Sequence, residues 1–302
     1  MAATGKRRKW PRQAPLERII LATDFSVGAR RAARRLALLP LAPKARITLL
    51  HVAPHGISGL QGAAVERQLE RDSAALQAAL RRAGIRDAVV RAEYDTGRPA
   101  DQIADHARAG RTDLVILGRH ARSGLPAYFI GCTAERVARA APGAVLVVAR
   151  STARPYRHPL VAVDVTADAE ARTVLGFALR VIPSERVRLT VLSLYEDPAI
   201  ERMKVYGVPE RTIREIALAA RKETDERLSR LASGLDRPEL SVRLSARYGH
   251  AARGVIDAAQ AMHPDLVVVG SGRHGIERLL LGSVAEAVLF GVSSDVLLVR
   301  LR

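Results

Sequence analysis

A single cysteine, Cys132, stands in a chain of 302 residues, so no disulfide can close within it, and a reducing cytosol suits it. Aromatic residues are only 4% of the total, too few for a nucleic-acid surface built on stacked bases. No apolar run approaches the roughly 20 residues that span a bilayer, which argues against a membrane role. The opening stretch MAATGKRRKWPRQAP is basic with no apolar core behind it, unlike a secretory signal. A cytoplasmic location follows as the expectation. The eight histidines show no metal-like grouping: His51 ends an apolar run, His106 lies on a helical pattern, and His120 and His274 sit in equivalent loops. No Ser-His-Asp arrangement or carboxylate pair marks a hydrolytic centre.

Negative charge is also scarce, with 31 Asp and Glu against 48 Lys and Arg and a formal net charge of +17. Such a field favours polyanions and nucleotides without specifying either. The arginines, however, are spread along helical patterns such as ARRAARRLALL and ALRRAGIRD, and only Lys6 to Lys9 form a dense run. A generally basic surface is the simpler account. Lys6-Arg7-Arg8-Lys9-Trp10 reads as a mobile basic tail, with electrostatic nucleic-acid contact as the alternative.

What the chain does contain is the same message twice. GRPADQIADHARAGRTDLVILG, residues 97–118, aligns without gaps on GHAARGVIDAAQAMHPDLVVVG, residues 249–270, at an offset of 249 − 97 = 152. Gly97, Asp105, Asp113 and Gly118 thereby recur as Gly249, Asp257, Asp265 and Gly270. IGCTAERV recurs as LGSVAEAV, with Gly131 and Glu135 matching Gly282 and Glu286 at an offset of 151, one residue shorter. RIILATDFS is answered by HPLVAVDVT, which sets Asp24 opposite Asp164. Copies of about 150 residues are too long for a solenoid unit and right for a duplicated domain.

Each copy alternates short Val/Leu/Ile runs with helical patterns. Strands are expected at 18–22, 47–52, 88–93, 114–117 and 145–148, then at 160–163, 188–194, 240–247, 266–269 and 296–299. Helices are expected at 27–39, 63–83, 98–109 and 133–140, then at 169–181, 210–232, 251–262 and 284–290. Nearly unbroken apolar strands between helices predict a parallel sheet covered on both faces, a doubly wound α/β domain made twice. The division predicted is a tail at 1–15, domains at 16–150 and 160–302, and a polar, proline-containing linker at 151–159.

Gly270-Ser271-Gly272-Arg273-His274-Gly275 is a literal match to the dinucleotide fingerprint G-x-G-x-x-G. It follows the fourth strand of its copy instead of the first, the helix pattern strengthens only after Gly282, and no acidic residue ends the next strand. That reading fails. Gly282-Ser283 is the better phosphate site: glycine admits close backbone approach, serine is a good N-cap, and a helix N-terminus offers unpaired N–H donors. Asp164, at the carboxyl end of the first strand of the same copy, would border the ligand crevice of such a sheet.

With these residues in place, both halves resemble the universal stress protein family, and the chain is similar to its tandem-domain members over nearly its full length. The family motif is G-x-x-G, nine residues, then Gly followed by Ser or Thr, commonly continued Val-Ala-Glu. Gly272, nine residues, then Gly282-Ser283-Val284-Ala285-Glu286 matches its second part. The resemblance implies an ATP site, with or without Mg2+. In it Asp164 meets the base, Leu194 lines the base pocket, Gly270 and Gly272 pass close to ribose and phosphates, and Gly282, Ser283 and the Val284 backbone hold phosphate oxygens. One departure is that a single residue separates Gly270 from Gly272, which tightens the loop.

The first half departs further. Gly118, Arg119, His120 and Ala121 precede Gly131-Cys132 at the family spacing, but Ala121 and Cys132 are the wrong residue types, and Pro126 and Tyr128-Phe129 crowd the loop. Asp24 and Val52 keep their places. A degenerate nucleotide site on an intact fold is the expectation. Cys132 at a helix start has the setting of a redox-sensing thiol, aided by Arg119, His120 and Arg122, although an inert small residue is the simpler account. The resemblance further implies a sheet order of 3-2-1-4-5 in each domain. It also implies that the last strands, 145–148 and 296–299, pair antiparallel, so that one chain forms a pseudo-dimer, with a homodimer as a further step. The expected function is a cytoplasmic stress-response sensor or adaptor that binds ATP in its second domain, with slow hydrolysis at most, and acts on unidentified protein partners. The alternative is a nucleotide-independent interaction protein that contacts nucleic acid through its basic surface.

Overall fold

The structure, a computed structural model, describes residues 10, 13–54, 60–119, 132–150, 154–183, 186–196, 202–203, 205–235, 238–272 and 281–301. The first half runs β1 (Leu16–Ala22), α1 (Val27–Leu36), β2 (Leu41–Ala53), α2 (Leu60–Arg82), β3 (Val89–Thr96), α3 (Pro99–Ala109), β4 (Leu114–Gly118), α4 (Cys132–Ala140) and β5 (Ala144–Val148). The second runs β6 (Pro159–Ala162), α5 (Asp168–Val181), β7 (Val187–Tyr195), α6 (Glu210–Ala232), β8 (Leu240–Tyr248), α7 (Ala251–Met262), β9 (Leu266–Ser271), α8 (Ser283–Gly291) and β10 (Asp295–Arg300).

The ten strands among the described residues join one sheet, ordered β3-β2-β1-β4-β5-β10-β9-β6-β7-β8. Each half is parallel in the order 3-2-1-4-5, and the halves meet where β5 and β10 pair antiparallel, Val145 facing Leu298, Leu146 facing Leu297 and Val147 facing Val296. The physical reason lies in those sequences. AVLVV is buried at every position and DVLLVR at all but the last, because helices cover both faces and the neighbouring strand covers the edge. The true edges, β3 and β8, lack that continuous burial and expose Arg91 and Arg243 beside Val89 and Tyr248.

Successive strand residues feed opposite faces, and each face holds one core. Ile19 and Leu21 of β1 join Leu297 and Val299 of β10 on one side; Ile20 and Ala22 join Val296 and Leu298 on the other. Both cores run through both halves, so the two domains share their packing. The recurring Asp113 and Asp265 have a matching structural task. Asp113 Oδ2 accepts from the amides of Glu17 (2.9 Å) and Arg18 (3.0 Å), and Asp265 accepts from those of Arg157 and His158, so each carboxylate fixes the entry to the first strand of its domain.

A buried polar knot pins the joint. Asp295, fully buried, accepts through Oδ2 from Arg35 Nε (3.0 Å) and the Tyr156 hydroxyl (2.9 Å), and through Oδ1 from the amides of Ala149 (2.9 Å) and Arg150 (3.0 Å). The Arg35 guanidinium lies over the Tyr156 ring and also donates to Arg154 O. Burial, reinforced by the Asp295 charge, pushes the Tyr156 hydroxyl well above its ordinary pKa, so it stays a neutral donor.

Three expectations need correction. Trp10 is no part of a mobile tail: its indole donates to Leu231 O (2.9 Å) at the end of α6, with Arg172 of α5 over its ring. Arg180 of α5 then holds Ala14 O and Pro15 O, so the segment before β1 docks on the opposite domain. β2 begins six residues earlier than predicted, at Leu41, because an irregular start with Lys44 at φ 62° and a register shift opposite β1 adds to the apolar run. α1 ends at Leu36 instead of continuing to 39.

Candidate functional site

At the carboxyl ends of β6 and β9, where the strand order reverses, a cavity of about 550 Å³ opens between the sheet and its helices. Such a crevice is the usual ligand position in a doubly wound sheet. Its wall includes Asp164, Leu194, Gly270, Gly272, Gly282, Ser283 and Val284, so the second-domain residues singled out from sequence converge on one space.

The geometry of each follows from its element. Asp164, just past β6, is exposed, and its Oδ1 accepts from the amide (2.8 Å) and hydroxyl (2.6 Å) of Thr166; no described donor reaches Oδ2. That oxygen is open to a ligand donor. Leu194 presents an apolar side chain from the end of β7. Gly272, with φ 132°, takes a conformation that a side chain rarely permits, and a Cβ on Gly282 would come 3.3 Å from Gly272 O. The two glycines therefore bring the ends of the 273–280 segment together at the start of α8. That segment lies outside the described residues.

Gly282, not Ser283, is the N-cap of α8, and no side chain caps it; Ser283 is the first helical residue. Glycine at this N-cap lets the Gly272 backbone come close, and a side chain there would press on Gly272 O. The first-turn amides of α8 thus lack a side-chain acceptor beside the cavity, the arrangement that receives anions at helix N-termini.

Sequence reading missed part of the wall. Glu170 and Val174 of α5, Ser193, Glu196, Thr224 of α6 and Leu301 also line it. Leu301 follows the last strand, where the chain returns beside β9; its Cδ1 lies 2.9 Å from where a Cβ on Gly270 would be. Asp164, Glu170 and Glu196 make the described wall acidic, and it contains no Lys or Arg. No group of three or more His, Cys, Asp or Glu among the described residues is placed to hold a metal ion.

In the first half the described residues crowd the corresponding space and leave a smaller cavity of about 250 Å³ between α1, α2 and the sheet. Asp24 makes the same turn as Asp164, accepting from the Ser26 amide at 3.0 Å, and Val52 is buried at the end of β2. But a Cβ on Gly118 would lie 2.1 Å from Gly28 C, and one on Gly28 would lie 2.6 Å from Arg119 O. The α1 backbone rests directly on the end of β4. In the second half Asp168 stands where Gly28 does, at the start of α5, and Gly270 meets the side chains of Leu301 and Val174 in place of backbone. The first half also stacks Phe25 on His51 (4.5 Å) and His51 on Tyr94 (6.1 Å). Aligned with Asp24 on Asp164 and Val52 on Leu194, their counterparts are the smaller Val165, Ser193 and Ala246. Ala121 and Gly131 lie outside the described residues, as does the Cys132 side chain; Cys132 itself begins α4.

Arg119 has a different task from the one expected. It is 5% exposed and donates to Val292 O (2.7 Å) and Leu289 O (3.0 Å) at the end of α8 in the other domain. Burial holds its pKa below the usual guanidinium value, partly offset by the Asp295 charge.

Comparison with known proteins agrees with this fold. The model of the universal stress protein family matches residues 15–149 and again 155–300. The chain is 29% identical over 148 residues to universal stress protein A homolog 1 of Coxiella burnetii, covering 49% of this chain and 98% of that one. It is 40% identical over 82 residues to homolog 2 of the same organism, which is 27% of this chain and 54% of that relative. A crystal structure of a universal stress protein from Archaeoglobus fulgidus superposes with a TM-score of 0.63 at 15% identity, covering 93% of this chain and 97% of that one. A protein of unknown function from Pseudomonas aeruginosa superposes with a TM-score of 0.58 at 21% identity, covering 94% and 92%. Two matches of the family model, spanning nearly the whole chain, place this protein in the universal stress protein family as a tandem of two of its domains.

Proposed function

We propose that the second domain binds ATP in the cavity at the ends of β6 and β9, and that the protein works as a cytoplasmic nucleotide-dependent sensor or adaptor. The observation that carries this reading is the meeting of Gly272 and Gly282 at the uncapped start of α8, across a cavity that Asp164 also borders. Phosphate oxygens would accept from the amides of Ser283 and Val284, where the helix end favours negative charge. Asp164 would accept from the base or ribose, and Leu194 would pack on the base. The described wall carries carboxylates and no cation, so Mg2+ bound together with the nucleotide would draw on carboxylate or water oxygens there and offset the phosphate charge. The first domain would bind no nucleotide, since backbone contact and stacked rings crowd its cleft. No helix among the described residues is long and apolar enough to cross a membrane.

The test is calorimetry of ATP binding to the full chain and to Gly282→Asp. Aspartate at the N-cap would place its carboxylate on the amides meant for phosphate. Binding by the native protein and none by the variant is the expected result; equal binding by both would overturn the site.

A further inference from the structure

The helix that would receive phosphate is held from the other domain. α8 offers its start, Gly282 to Ala285, to the cavity of domain 2, while its last carbonyls accept from Arg119 of domain 1. Arg139 of α4 adds a contact to the first turn of α8, 3.1 Å from Glu286, with both side chains partly exposed. Of the two, Arg119 is the buried one. It stands one residue past β4, and its own amide donates to Val148 O (2.8 Å), so its base is fixed to the sheet.

From this geometry we infer that Arg119 is a positioning residue through which domain 1 sets the nucleotide affinity of domain 2. The inference rests on the ATP reading of the cavity given above. Two physical effects act together. The guanidinium fork joins two carbonyls, which fixes where α8 ends and hence where its first-turn amides point. Its charge also sits at the negative end of the helix dipole, where a cation stabilises the helix, and α8 has no basic residue of its own in its last turn.

Two further observations separate Arg119 from ordinary interface packing. Its Nε is buried without a hydrogen-bond partner among the described residues. It is therefore held by its grip on α8 and not by a closed polar network, unlike Arg35 beside Asp295. The repeat also shows an unequal arrangement. Gly118 corresponds to Gly270, so Ser271 occupies the position of Arg119 in domain 2 and makes no such fork. The end of α4 is reached instead by Arg300 of β10, through a bond to Arg139 O (3.0 Å), whereas Arg119 is buried and takes two carbonyls at the end of α8.

The experiment measures ATP affinity by calorimetry and thermal unfolding in parallel for the full chain and for Arg119→Met, Arg119→Lys and Arg150→Ala. Arg150 also crosses the joint, but it bonds Ser293, beyond the end of α8. Arg119→Met is expected to weaken ATP by at least about 5-fold, the lower end of couplings between sites. Arg119→Lys, which keeps the charge but loses the fork, should fall between Met and the native protein, and it supplies the reading if the Met variant does not fold. Arg150→Ala should bind as the native protein does. Native protein that binds no ATP would overturn the proposed function itself. Native protein that binds, with unchanged affinity in both Arg119 variants or an equal loss in Arg150→Ala, would overturn the positioning role alone.

Discussion

Asp295→Ala is the substitution that the joint between the domains should tolerate least. The carboxylate is fully buried and takes four hydrogen bonds, from Arg35, Tyr156 and the amides of Ala149 and Arg150. Alanine leaves all four donors without their acceptor, and one of them is a cation that is itself 2% exposed. Removing one partner of a buried pair costs about 3–5 kcal/mol, a large share of a typical total stability of about 5–15 kcal/mol. Asp295→Asn keeps the shape and part of the acceptor capacity and should cost less. Arg35→Met combined with Asp295→Ala should cost clearly less than the two separate losses added, since the double variant no longer strands the charge. The assay is urea unfolding followed by circular dichroism, with all variants fitted to one transition. That single transition is itself expected, because both cores and the β5–β10 ladder run through both halves. A loss below about 1 kcal/mol for Asp295→Ala, or strict additivity in the cycle, would refute the claim that this knot joins the domains.

Trp10→Ala should lower stability by about 1–2 kcal/mol through lost packing and the lost bond to Leu231 O, read as a lower urea midpoint at unchanged slope. Burial raises the Asp113 pKa, yet the amides of Arg18 and Glu17 and the Arg180 side chain outweigh that and hold it below its ordinary value. A depressed folded pKa gives stability that is fully present above the unfolded value and lost as pH falls through the folded one. The stability difference between native protein and Asp113→Asn should therefore be constant at neutral pH and shrink below about pH 4 in acid titrations. Duplex DNA should bind only at low salt, with affinity that falls steeply as salt rises; a salt-tolerant, sequence-specific complex would promote the nucleic-acid alternative.

Much of the fold was legible because the signals are local. Unbroken runs such as AVLVV and LVVV mark buried parallel strands, and the repeat fixes two copies before any topology is known. Asp164, Gly272 and Gly282 were legible for the same reason, since a turn after a strand and a glycine before a helix are short-range patterns. What escaped depends on partners far along the chain. Trp10 follows four basic residues with no periodicity, and its acceptor lies 221 residues away. Asp295 looks like the boundary of a strand, and nothing near it announces Arg35, 260 residues earlier. Arg119 reads as a loop cation because its acceptors are backbone carbonyls, which no residue type encodes. The crowding of the first cleft needed both halves side by side, since Gly28 and Gly118 are ordinary residues until their backbones touch.

The count of ATP bound per chain tests the central claim most directly, by equilibrium dialysis of the full-length protein with labelled ATP at saturating concentration. An open second cleft and a crowded first one predict about one ATP per chain, at micromolar strength or weaker, roughly −8 kcal/mol or less favourable. Two equivalent sites would contradict the crowding of the first cleft by Gly28, Gly118 and the Phe25–His51–Tyr94 stack. No bound ATP would contradict the assignment of the second.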